Sequence, residues 1–172
     1  MPSSTSGGPG EKGAGGGPAG AGRDAPKPAL FTVGCQGRRA SDLAGELARR
    51  GVACVIDVRY NPWSRRPEFT GKALAVALAS RGIAYLHLRG LGAPPELRRA
   101  FQDNPDMAQF LTAFKAHLFQ QGPALDQLQE ALDRYGRVCL LCQEHDPSQC
   151  HRLAVAEEAC RRAPGLPLEH IV

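Results

Sequence analysis

The run VACVIDV, residues 52–58, constrains this chain more than any other stretch. A strand with one face in water alternates apolar and polar residues. This run is nearly continuous in apolar character and rich in β-branched residues, so it predicts a central strand covered on both faces. Similar runs recur as LFTVG (30–34), IAYLHL (83–88) and RVCLL (137–141), and PLEHIV (167–172) supplies a short last strand. Helical spacing fills the gaps. SDLAGELARRG (41–51) places Leu43 and Leu47 on one face, with Ser41 as N-cap and Gly51 as terminator. KALAVALASRG (72–82) reads as a second helix. Met107, Phe110, Leu111, Phe114 and Leu118 mark a third, and Leu125, Leu128 and Leu132 a fourth. A last helix is expected from about Cys150 to Arg162. The segment 89–105 reads as loop with one helical turn after Pro95. Strands alternating with helices predict an α/β domain of three layers, with a mainly parallel sheet of four to five strands and helices on both faces.

The first 29 of the 172 residues have a different character, with nine glycines, five prolines and no leucine, isoleucine, valine or aromatic residue. Such a segment cannot bury enough apolar surface to offset the entropy of ordering, so a disordered tail is expected over 1–29 and a single folded domain over 30–172. The tail has no apolar core of signal-peptide length, and no stretch approaches a membrane span of roughly 20 residues. A cytosolic protein with no membrane partner is the expectation. The formal net charge of +4 favours anionic ligands only weakly. Six cysteines without a secretion signal argue against a disulfide scaffold. Cys54 and Cys139 sit inside apolar runs and read as core residues. Cys35, Cys142 and Cys150 fall at element ends.

In open parallel sheets, ligands bind at the carboxyl ends of the strands. That rule collects Cys35 and Gln36, then Asp57 and Arg59 with Arg65 and Arg66 beyond, then His87 and Arg89, and finally Cys142 and Glu144. The densest segment is LLCQEHDPSQCHR (140–152), which holds two cysteines, two histidines, two carboxylates and an arginine.

The stretches TVGCQGRRASDLAGELARRGVACVIDVRYNPWSRRPEF, GIAYLHLRGLG, VCLLCQEHDPSQCHR and the closing EHIV together resemble the bacterial and archaeal domain-of-unknown-function 488 family. The resemblance spans 31–172 and is most specific in the C-x-E-x5-C-H-R segment. Asp57, Arg59, Ser64, Arg65, Phe69, Cys142, Glu144, Cys150, His151 and Arg152 occupy its motif positions. Family members often carry Gly-His or Gly-Tyr where this chain has Gly34-Cys35. The resemblance implies a compact α/β domain and no particular reaction.

Three chemistries compete for this segment. A metal would take Cys142, Cys150 and His151, with His145 as a fourth ligand. The C-x7-C-H spacing departs from that of structural zinc sites, and adjacent residues diverge by about 100° on a helix, so no metal or cofactor is expected. A thiol centre would place Cys142 at a strand end, near a helix start and arginines, with a pKa below the free value of about 8.5. The D-V-R strand end and a cysteine after a later strand also resemble rhodanese-type sulfurtransferases, although the loop here is longer and the order of elements differs. An anion pocket would use guanidinium forks. Against all three stands a bland alternative: Cys142 and Cys150 as packing residues, His151 as a hydrogen-bonding residue, His87 as a core histidine, and Asp57 and Glu144 as partners that hold buried arginines.

The balance favours an enzyme acting on a phosphate-bearing or nucleotide-like anion. Cys142 is the candidate nucleophile, Glu144 or Asp57 the candidate acid/base, and Arg59, Ser64, Arg65, Arg66, His151 and Arg152 the candidate anion-binding residues. A non-catalytic nucleic-acid-binding domain, of the kind used in DNA repair, is the alternative, motivated by the Arg/aromatic loop RYNPWSRRPEF (59–69). A structural domain whose Arg/acid network only fixes loops is the third reading. The sequence assigns no oligomeric state.

Overall fold

The computed structural model describes residues 26–172. Most of the tail expected over 1–29 lies outside the described residues, and Ala29 already opens the first strand. The strands are β1 (Ala29–Gly34), β2 (Cys54–Asp57), β3 (Ala84–His87), β4 (Arg137–Cys142) and β5 (Leu168–Ile171). They form one sheet in the order β3-β2-β4-β1-β5, and every pairing is parallel. The helices are α1 (Ala40–Arg49), α2 (Gly71–Ala79), α3 (Pro95–Asp103), α4 (Met107–Phe119), α5 (Gly122–Tyr135) and α6 (Arg152–Arg162).

Handedness explains which helix covers which face. Two crossovers, β1-α1-β2 and β2-α2-β3, run in one direction across the sheet, and the crossovers into β4 and β5 run in the other. Right-handed connections therefore put α1 and α2 on one face and α4, α5 and α6 on the other. The side chains agree. Phe31, Val33, Val55, Cys139 and Leu141 pack with Leu43, Leu47, Leu74 and Leu78. Leu30, Ile56, Val138, Leu140 and Cys142 pack with Phe114, Leu125, Leu128 and Val155. Strand alternation thus sends Asp57 to the α1/α2 face and Cys142 to the α4/α5/α6 face, both at the carboxyl edge.

Two local expectations are corrected. Ser41 is not the cap of α1. The helix starts one residue earlier, after Arg39, with no side-chain cap, and Ser41 bonds Asp42 instead. Gly51 does terminate the helix, at φ 68°, where its N–H reaches Ala48 O. The segment after Pro95 is a nine-residue helix, α3, and not a single turn. None of its residues is fully buried; its apolar stripe is Leu97, half-buried against the core, and Phe101 one turn later. It rests on α4 through Phe101 and Phe110, whose ring centroids are 5.3 Å apart.

Candidate functional site

The carboxyl edge of the sheet opens into a cleft of about 410 Å³. One side carries Tyr60 and Trp63 from the loop after β2, and the other carries Arg98, Phe101 and Phe110 from α3 and α4. At its inner end lie Cys142, Glu144, Cys150 and His151. The sequence brings these four together in a simple way. Cys142 is the last residue of β4, the loop 143–149 leaves the sheet, and a 3-10 turn (Pro147–Gln149) returns the chain to the start of α6.

Cys142 Sγ lies 3.4 Å from Glu144 Oε2, and Cys150 Sγ donates to the same oxygen at 3.0 Å. The ring nitrogens of His151 lie 3.8 and 3.9 Å from Cys142 Sγ. His151 Nε2 is 2.9 Å from Val58 O. A backbone carbonyl only accepts, so Nε2 carries the proton of that bond and Nδ1 keeps its lone pair as the ring's acceptor. The expectation that Cys150 and His151 diverge is corrected here. Cys150 is extended, with φ −147° and ψ 138°, and His151 stands at the helix entrance, so the helical 100° step does not separate them.

The expected low pKa of Cys142 is also corrected. The hydrogen bond with Cys150 pulls it down most strongly, but burial and the Glu144 carboxylate push it up, and the net shift is upward. Cys150 is pushed well above its usual value by burial, then by Cys142. For His151, burial disfavours the imidazolium most, yet the bond to Cys150 and the contact with Val58 O outweigh it, and the pKa rises. Across the strand edge, Cys35 bonds Cys142 O at 2.8 Å, and burial pushes its thiol up to about 11.

The other site residues hold the walls. Asp57 is fully buried, and its carboxylate accepts from Arg59 Nε at 2.9 Å, Arg59 Nη2 at 2.5 Å and Tyr85 Oη at 2.8 Å. Arg59 Nη1 donates to Phe69 O at 2.9 Å, and His87 Nε2 to Arg59 O at 2.8 Å. This network pins the loop that carries Tyr60 and Trp63. Asp57 points to the opposite face of the sheet from Cys142 and is not among the residues that line the cleft. Arg152 is fully buried, and its guanidinium donates to Glu144 O and to His145 O, fixing the 143–149 loop from behind. Arg59 lines the cleft while paired. Ser64, Arg65 and Arg66 lie outside its lining. Ser64 Oγ accepts from Arg66 N at 3.1 Å, and Arg66 pairs with Glu68 and covers the Phe69 ring.

The sequence pattern does not single out Arg98 and Phe101, which lie where only one helical turn is expected, or Tyr85, whose place two residues before His87 puts it on the face of Asp57. Parallel register from a buried strand would have found Tyr85; nothing in the apolar pattern marks Arg98.

Comparison with curated proteins and with solved structures returns no match. Comparison with protein families matches residues 39–159 to the domain of unknown function DUF488. The matched stretch runs from the entrance of α1 into α6 and contains Asp57, Arg59 and the whole Cys142–Arg152 segment. The chain therefore belongs to the family of the domain of unknown function DUF488.

Proposed function

We propose that this protein is a cytosolic enzyme whose cleft takes a planar, anionic, nucleotide-like ligand and acts on it with the Cys142, Glu144, Cys150 and His151 cluster. The observation that carries this reading is the composition of one cleft: aromatic rings at the mouth and a convergent polar cluster at the inner end. Apolar walls with a few convergent polar groups are the usual makeup of a small-molecule site. Trp63 is 64 % exposed at the rim. An exposed indole suits a base, since every base offers a π-face.

Arg98 is exposed on α3 and makes no ion pair among the described residues. It supplies the cation for a phosphate that Arg59 and Arg152, already engaged, do not supply. The six unpaired cysteines, five of them buried, support a reducing compartment. No helix of the described residues is long and apolar enough to cross a membrane.

The chain has a single tryptophan, so Trp63 reports on the cleft without labelling. Adenosine monophosphate should quench its emission saturably, and inorganic phosphate alone should not. Trp63→Ala, followed by calorimetry, should weaken binding by on the order of 10- to 100-fold, equivalent to about 1–3 kcal/mol of stacking. No response to nucleotides up to about 1 mM, the upper end of ordinary KM values, would refute the reading. Response only to single-stranded oligonucleotides, lost steeply with salt, would favour a nucleic-acid-binding domain instead.

A further inference from the structure

The geometry points to a metal site: Cys142 Sγ, Cys150 Sγ, His151 Nδ1 and Glu144 Oε2 bind one divalent ion of the zinc class. This deepens the proposed function by naming what makes the cluster reactive, but its geometry stands by itself. One donor atom from each of Cys142, Cys150 and His151 lies within 4.8 Å of the others. A tetrahedral ion with bonds of about 2.3 Å to sulfur and about 2.0–2.1 Å to nitrogen or oxygen separates a sulfur from its N or O neighbours by about 3.5 Å. Here the separations are 3.4 Å from Cys142 to Glu144, 3.0 Å from Cys150 to Glu144, and 3.9 Å from Cys142 to His151 Nδ1. Each is within about half an ångström of that tetrahedral edge. The wider spread among Cys142, Cys150 and His151, up to 4.8 Å, closes on an ion with a draw-in of about 1 Å.

The surroundings match as well. A metal-bound imidazole ordinarily donates its second N–H to a carbonyl or carboxylate, which fixes the ring and its tautomer. His151 Nε2 does this with Val58 O at 2.9 Å. The Arg152 guanidinium anchors the Glu144 and His145 carbonyls, so the backbone beneath the carboxylate ligand is held in place. All four ligands line the cleft, which gives an ion a path of entry. Two thiolates select a soft or borderline ion over magnesium or calcium.

Cobalt(II) and zinc(II) added to the full-length, reduced, chelator-stripped protein test the site. One equivalent of cobalt should bind and give tetrahedral d–d bands with a thiolate-to-cobalt charge-transfer band, and one equivalent of zinc should bleach it. Cys150→Ser should lower the charge-transfer intensity by about half and weaken binding by more than the 10- to 100-fold typical of an outer-shell change. Glu144→Gln should keep the intensity, since both thiolates remain, and lose at least tenfold in affinity, since an anionic ligand is removed. Cys160→Ser, on the far part of α6, should change nothing. A wild-type protein that binds no stoichiometric cobalt, or whose cobalt complex lacks thiolate charge transfer, overturns the site whether or not any variant folds. So does a Cys150→Ser protein with the wild-type band. Quenching of Trp63 by nucleotide in the metal-free protein is a separate reading, and either result can fail without the other.

Discussion

Asp57→Ala should cost about 3–5 kcal/mol, the range for removing one partner of a buried ion pair. For a domain of this size that is a fall in Tm on the order of 10 °C. The carboxylate is fully buried and receives Arg59 and Tyr85 together. Without it, a guanidinium that is only 6 % exposed has no counter-charge. Burial opposes the charge on Arg59 most, but the bond to Asp57 outweighs it and raises the pKa, while burial and Asp57 together raise that of Tyr85. Arg59→Met in the Asp57→Ala background should recover part of the loss, because an apolar replacement for a buried pair is often near neutral. Urea unfolding of the three variants measures the coupling. A loss below about 1 kcal/mol for Asp57→Ala, the value of a surface ion pair, would mean that the network is wet and the loop is held by something else.

Gly34→Ala should be similarly damaging, for a steric reason. A Cβ at Gly34 would overlap the backbone carbonyl of Glu144 and touch His145 Cα at 3.0 Å. That backbone cannot easily retreat, since Arg152 holds both of its carbonyls. The expected loss is about 3 kcal/mol, at the upper end for overpacking, together with a displaced Glu144 and a weakened metal response. Gly45→Ala is the matched control. Gly45 lies in the middle of α1, and a Cβ there meets nothing within 4 Å. That substitution should stabilise the protein by about 0.5–1 kcal/mol, the helix-interior cost of glycine. Thermal unfolding of both variants would give opposite signs. Equal signs would mean that strand β1 does not approach the 143–149 loop as closely as described.

The sheet was legible because its strands carry their own evidence. Runs such as VACVIDV have no polar face, and every one of them became a strand of a parallel sheet. Right-handed crossovers then follow without further information. Helix α3 was harder to read, since Pro95 marks a start but its apolar face is only Leu97 and Phe101, both half-buried. Of the site, the meeting of Cys142 with Glu144 was readable from a strand end and a two-residue step. The convergence of Cys150 with His151 was not. It depends on the helix starting at Arg152 and not at Cys150, a boundary that sequence pattern fixes only to a few residues. The fate of the arginines was hidden for a different reason. Arg152 is spent on two backbone carbonyls, and carbonyl partners leave no trace in side-chain pattern.

In the proposed function the aromatic mouth and the Cys142–His151 end belong to one ligand site. Nitrogen-15 NMR of the reduced protein, titrated with adenosine monophosphate, tests it directly by following the Trp63 indole and the His151 ring together. Both signals should shift and saturate at one dissociation constant, while His117 and His170, outside the cleft lining, stay still. A shift of Trp63 alone, or a His151 that never responds, would contradict it.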